Sequence, residues 1–289
     1  AKLITSDIEN FWRAYDLAKQ ESDAEKKISI YDREYLGKGS VGLQDFIKLR
    51  INTAKSLAQT VNSQSKYYES ARASTLRIAA MEKKIRAHFF ALKYLYDEAA
   101  FPDVYFLIGK MNSGGTASGR ALLIGAEMHA MTPQAPLSEL SDWHKQVIRP
   151  VEDIPAIVAH ELIHFQQKYP FKVTLLNQSI REGVADFLGE MISGFNLNQH
   201  LRAYGDEREK QLWDEFKQEM NGNKYDKWLY NGSSVKDRPA DLGYYMGYRI
   251  AESYYNQAKD KKQAIKDILS IKDFEQFLQA SGYQSKFGK

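Results

Sequence analysis

Apolar residues recur at helical spacing through nearly all of the first hundred positions. In "SDIENFWRAYDLAKQ", Ser6 or Asp7 offers a cap, and Ile8, Phe11, Trp12 and Tyr15 follow on one face. After a Gly/Ser break at 37–42, "KGSVGLQDFIKLRINTAKSLAQTV" sets Phe46, Leu49, Ala54, Leu57 and Val61 on one side. "YYESARASTLRIAAMEKKIRAHFFALKYLYDEA" is a third long amphipathic pattern, ending near Pro102; its His88 reads as an ordinary core or boundary histidine. The periodicity predicts an N-terminal helical region over residues 1–100.

The period changes after Pro102. "DVYFLIGK" and "ALLIGAEM" are short β-rich runs on either side of the glycine-rich "MNSGGTASGR", which predicts two strands around a mobile hairpin connection. No G-K-[ST] follows the glycines and they lead into a strand, so this is not a phosphate-binding loop. His129 and His144 follow with no diagnostic spacing. From Val151 onward helices are expected near 154–168, 175–194, 199–220, 240–260 and 262–280, divided by "YPFK", "NGNKYDKWLYNGSSVKDRP" and short breaks. "REKQLWDEFKQEM" reads as a solvated helical face. The expected class is α+β, predominantly α-helical, with a small β-sheet.

Composition narrows the chemistry. The chain has 289 residues, 43% hydrophobic and 27% charged, which suits one large domain or two smaller ones. Its 40 basic and 37 acidic residues nearly cancel, so no nucleic-acid partner is expected. No window approaches eighteen uninterrupted apolar residues, so no membrane span is expected. There is no cysteine, which excludes disulfides, thiolate catalysis and thiolate-held zinc. The same absence is compatible with an oxidising compartment. The chain opens "AKLITSDIENFWRAYD" without a Met, as a mature form after signal removal or a trimmed chain would. The expected location is periplasmic or secreted, with the cytoplasm left open. The oligomeric state is not encoded in any pattern found.

One helix carries an anomaly. "IPAIVAHELIHFQQKY" is apolar enough to be buried, yet holds His160, Glu161 and His164, and burying such groups is costly without a partner or a metal. His160 and His164 are four apart, so they share a face one turn separated. That is the spacing from which two imidazoles reach one zinc ion. Glu161 sits roughly 100° further round. There it is displaced as a ligand but well placed to take a proton from a water that zinc has acidified. H-E-x-x-H thus sets two ligands and a base on adjoining faces. On a helical wheel Ile154, Val158, Leu162 and Phe165 form an apolar flank, with Ala159 and Ile163 beyond it. Ile157, His160, Glu161, His164 and Gln167 lie on the other side.

A third ligand comes from "SIREGVADFLGEM", eighteen residues after His164. Glu182 and Asp186 are again four apart on a predicted helix. Taken alone they read as surface charges near Arg181. Together with HELIH, Glu182 becomes the third ligand of one Zn2+ ion, and Asp186 receives the outer N–H of a zinc-bound histidine. Gly183 removes bulk where two helices must approach. An electrophile for a developing oxyanion is also needed. "DLGYYMGYRIAESYY" offers Tyr248 first and Tyr244 second on one helical face, with Arg249 nearby and core packing as the competing role. Gly243 and Gly247 would let this helix pack closely.

HELIH followed by E-G-x-A-D resembles the gluzincin branch of zinc metallopeptidases. With "TSDIENFWRAYD", "NSGGTASGRALLIGAEM", "REGVADFLGE" and "PADLGYYMGYRIAESYY", the chain resembles bacterial proteins described as zinc-dependent proteases, distantly related to the gliding-motility lipoprotein B group. The resemblance implies a zincin-like catalytic domain over 101–289, packed with the helical region or separate from it. It also implies His160, His164 and Glu182 as zinc ligands, Glu161 as general base, and a peptide or protein substrate. In such peptidases an upper strand beside the cleft binds extended substrate, and "ALLIGAEM" is the candidate. The given sequence holds no lipid-attachment cysteine, so a lipoprotein assignment is not carried over from the resemblance. The expected function is zinc-dependent peptide-bond hydrolysis. The alternatives are a zinc-stabilised binding or scaffold module without turnover, and a zinc hydrolase acting on a non-peptide bond.

Overall fold

A computed structural model describes residues 1–171, 173–232 and 234–288; Lys172 and Ser233, which fall in two of the expected breaks, and Lys289 lie outside the described residues. The chain is an α+β protein, predominantly helical, with one small mixed sheet. Its strands are β1 (Leu3–Ile4), β2 (Asp103–Leu107), β3 (Gly115–Ala117) and β4 (Ala121–Gly125). The early helices are α1 (Ser6–Lys19), α2 (Ala24–Tyr31), α3 (Val41–Phe46), α4 (Ala54–Ser63), α5 (Ser65–Leu76) and α6 (Glu82–Leu95). A short α7 (Asp142–Val147) precedes α8 (Ile154–Gln166) and α9 (Leu175–Ser193). The last helices are α10 (Gln199–Asp206), α11 (Glu209–Glu219), α12 (Leu242–Gln257), α13 (Lys261–Leu269) and α14 (Phe274–Ala280).

Two compact units share the chain: Ala1–Ala87 with Phe101–Glu161, and His88–Ala100 with Leu162–Lys289. Of the three dividing points, two fall inside the helices α6 and α8, and the third lies between Ala100 and Phe101, ahead of β2.

The first unit holds the sheet, in the order β1-β2-β4-β3. β1, β2 and β4 are parallel, in the register Leu3↔Val104 and Tyr105↔Leu123, whereas β3 runs antiparallel to β4. This corrects the expected hairpin. Parallel neighbours cannot be joined by a tight turn, so residues 108–120 cross over instead. The glycine-rich stretch within them supplies β3, the outer strand. β4 is therefore an inner strand, and all five of its residues are buried.

Around the sheet an aromatic core forms, as the "FWRAY" spacing predicts. Phe11 packs against Trp12 at 5.0 Å between ring centroids and against Tyr35 at 5.3 Å. Buried tyrosines need a partner for the hydroxyl, and here the partners are backbone groups at the ends of two strands. Tyr35 Oη accepts from Ile108 N–H at 2.9 Å and donates to its carbonyl at 2.7 Å. Tyr68 donates to Gly109 O and Tyr67 to Glu127 O, both at 2.8 Å. These bonds fix where the crossover segment leaves β2 and where β4 ends.

Titratable side chains hold the crossover from the other side. Glu127 is fully buried and accepts the Met111 N–H at 3.2 Å. His129 Nε2 lies 2.9 Å from Gly114 O, and His144 Nε2 lies 2.9 Å from Met111 O. Burial pushes the Glu127 carboxyl up to about 7, against the opposing pull of backbone N–H groups, and pushes the His129 imidazole down to about 4. Between the ordinary carboxyl value of 4.5 and about 7, the folded chain keeps a proton that the unfolded chain has released. The stabilisation from Glu127 is therefore full below that window and is lost as pH rises through it. His129 works the other way: its contribution is present above 6.5 and lost as pH falls towards 4. Glu127→Gln removes only the first effect. The variant should gain on the parent by about 3 kcal/mol between pH 5 and pH 8. Urea midpoints at the two pH values measure this, and parallel curves for the two proteins would contradict it.

In the second unit α9 and α12 cross backbone to backbone. A Cβ on Gly183 would lie 2.0 Å from Tyr248 N, and one on Gly247 would lie 1.7 Å from Ser179 O. Both glycines are thus required by the crossing, as the sequence spacing suggested. Other expected helices break. The run expected over 199–220 is two helices, α10 and α11, and the run over 262–280 splits where Asp273 caps α14 by accepting the N–H groups of Glu275 and Gln276. In the first unit α3 and α4 are separate because Asn52 takes φ 70° and Thr53 and Ser56 form a capping box.

Candidate metal centre

Local signals place the two helices that matter. α8 starts at Ile154, with Pro155 in its first turn where a missing N–H costs nothing, and Pro170 lies beyond its end. Ile154, Val158, Ala159, Leu162 and Ile163 are buried, whereas His160 and His164 are half-buried. α9 starts where Thr174 accepts the Asn177 N–H and ends at Gly194, which takes the left-handed φ of 69°. Glu182 and Asp186 are both nearly buried in its middle.

The ligand atoms that His160, His164 and Glu182 can offer all lie within 4.8 Å of one another. His164 Nε2 and Glu182 Oε2 are 3.1 Å apart. Two ligand atoms on a tetrahedral zinc stand about 3.4 Å apart when the bonds are about 2.1 Å. Two imidazoles and one carboxylate are also a donor set that zinc takes with a position left open. The residues present therefore fit one such ion. Glu161, 9% exposed, occupies the neighbouring face of the same helix and is not one of the three.

Supporting contacts hold two of these groups. His164 Nδ1 lies 2.9 Å from Gln167 Oε1, and Gln167 Nε2 donates to Arg181 O at 2.7 Å. With its proton on Nδ1, His164 keeps Nε2, which faces Glu182, unprotonated, the tautomer in which that nitrogen can act as a ligand. Asp186, expected to receive the outer N–H of a zinc-bound histidine, accepts from Asn198 Nδ2 at 2.6 Å through Oδ2. The other Glu182 oxygen, Oε1, receives the Tyr230 hydroxyl at 2.9 Å.

Tyr230 was missed by sequence reasoning. It lies in "NGNKYDKWLYNGSSVKDRP", which has no apolar period and reads only as a break. Its φ of 55° is one that an aromatic residue rarely adopts. The segment holds it there: Tyr230 N–H donates to Asp241 Oδ1, and Asp241 N–H donates to Asn231 Oδ1 at 2.8 Å. Burial, then the Glu182 charge, raises the Tyr230 hydroxyl far above its ordinary value, so it stays a donor. The Asn-Gly that follows Tyr230 is the one signal that could have flagged it.

The two expected electrophiles stand differently. Tyr248 donates to Glu190 Oε2 at 2.8 Å and accepts from Arg202 at 3.1 Å, with its ring under the Arg202 guanidinium and edge-on to Phe187. Tyr244 lines a small pocket with Asp186, Asn198 and Arg202. Burial, then the Glu182 charge, holds its hydroxyl in the neutral form.

The strand beside Glu161 is β3. A Cβ on Gly115 would fall 2.4 Å from Glu161 Oε1, so only glycine lets the strand run this close to the carboxylate. The expected substrate strand, "ALLIGAEM", is corrected on this point: β4 is paired on both sides, and the outer edge belongs to β3.

The family model described as "Gliding motility protein GldB" matches residues 4–285, and the chain belongs to that family. Searches of curated proteins and of solved structures returned no match.

Proposed function

We propose that this chain is a zinc-dependent hydrolase of peptide bonds. The observation that carries the reading is the convergence of His160, His164 and Glu182; Glu161 lies on the same helix as the two histidines. His160, His164 and Glu182 would hold the ion. When bound, zinc supplies Lewis acidity, polarising a carbonyl oxygen and lowering the pKa of a water it carries. Glu161 would accept a proton at its carboxylate and return it to the leaving amine. Gln167 keeps His164 in the tautomer a ligand needs. The Tyr230 hydroxyl, which donates to Glu182, joins Tyr248 and Tyr244 as a candidate donor for an oxyanion; the Tyr248 hydroxyl also bonds Glu190 and Arg202. Outer strand β3 gives an extended peptide a backbone to pair with beside Glu161. We read the chain as carrying a zincin-like core on these grounds.

The lipoprotein family to which the chain belongs points to the cell envelope. No described helix is long and apolar enough to cross a membrane.

The test is hydrolysis of casein and of a mixed peptide library, with and without a chelator. Cleavage that stops with chelator and returns with zinc is the expected outcome. Metal binding with no cleavage of any substrate points instead to a binding module, and activity on esters or small amides alone points to a different bond.

A further inference from the structure

We infer that Arg50 forms an anion subsite beside β3 that takes a carboxylate of the peptide substrate. The inference rests on the peptidase reading of the site. Arg50 lies in the irregular turn Ile47–Ile51, which ends at Asn52 with φ 70°. Asn112 Nδ2 donates to its carbonyl at 3.1 Å, which ties this turn to the glycine-rich crossover. One terminal nitrogen of the guanidinium donates to Thr116 Oγ1 at 3.2 Å. Its Nε is buried and has no hydrogen-bond partner. Among the described residues no carboxylate lies within ion-pair distance of it, although neighbouring Asp45 holds Arg120 at 2.7 Å.

A partly buried guanidinium that uses so few of its five N–H donors lacks a counter-charge, and a free charge in such a place is costly. Its position says where the counter-charge would come from. Thr116 belongs to β3, and successive residues of a strand point to opposite faces. Gly115 faces Glu161, so Thr116 and Arg50 mark the other face of the same outer strand. A peptide lying extended along β3 alternates in the same way. The substrate residue next to the one held over Glu161 therefore turns its side chain towards Arg50. The planar fork of an arginine matches a carboxylate with two parallel hydrogen bonds. An acidic side chain and a free C-terminus both supply that group.

Binding of labelled peptides to the zinc-loaded Glu161→Gln chain tests this without turnover. The panel holds matched pairs with Glu against Gln side chains, and with a free C-terminal carboxylate against an amide. One carboxylate series should bind about tenfold or more tightly than its neutral partner. Adding Arg50→Gln should erase that preference, and Arg50→Lys, which keeps the charge and loses the fork, should keep part of it. The series showing the preference identifies the source of the carboxylate. Equal binding of the pairs, a preference that survives Arg50→Gln, or no binding by any peptide overturns the inference. Preference that depends on Arg50, in peptides the parent chain never cuts, keeps the subsite and removes the hydrolase reading. Cleavage without preference does the reverse.

Discussion

Glu161→Gln is expected to bind zinc as the parent chain does while turnover falls by about two to four orders of magnitude. The amide keeps the shape of the carboxylate, so the space beside Gly115 remains filled and α8 keeps its packing. The substitution leaves the proposed ligands His160, His164 and Glu182 untouched. What disappears is the group that accepts and returns a proton. Hydrolysis rates and metal content measured on the same preparation separate the two effects. A variant with full activity would remove Glu161 from the mechanism, and a variant that loses zinc would make it a ligand.

The second large effect is structural. Gly247→Ala should destabilise the chain by at least about 3 kcal/mol and weaken metal binding as well. The added methyl carbon would fall 1.7 Å from the Ser179 carbonyl oxygen, and backbone cannot step aside as a side chain can. α9 and α12 would have to separate, and Glu182 stands on α9 next to Gly183, whose own Cα sits against the backbone of Gly247 and Tyr248. Gly119→Ala is the control: its methyl meets nothing within 4 Å, and the change should be nearly neutral. Denaturant unfolding of the three proteins reads the difference. Equal stability of Gly247→Ala and the parent would contradict so close a crossing of the two helices.

Much of this centre was legible in the sequence because its signals are local. The helix expected over 154–168 is Ile154–Gln166, and the one expected over 175–194 is Leu175–Ser193. In each, apolar period, a cap and a breaker agree, and the four-residue spacings then fix which side chains share a face. The glycine pairs were readable for the same reason. Pairing between strands was not. β3 is the three residues Gly115–Ala117, too short and too poor in β-branched residues to register as a strand, and nothing local marks β2 and β4 as parallel. Breaks within amphipathic runs were missed where capping overrides the period, as at Thr53 and Asp273. Tyr230 was invisible because its position depends on a left-handed backbone held by Asp241, eleven residues further on.

The partner of His164 shows the same limit at smaller scale. Gln167, three residues from His164 on the chain, meets that ring at 2.9 Å through Nδ1. Gln167 lay on the chemical side of the helical wheel all along, but a wheel gives direction and not reach.

Zinc titration of the metal-free chain, read by calorimetry beside His164→Ala and Glu182→Gln, bears most directly on the centre. One ion per parent chain, with binding abolished or weakened by at least about tenfold in each variant, is the predicted result. Parent and variants taking up zinc alike, or a parent that takes up none, would contradict it.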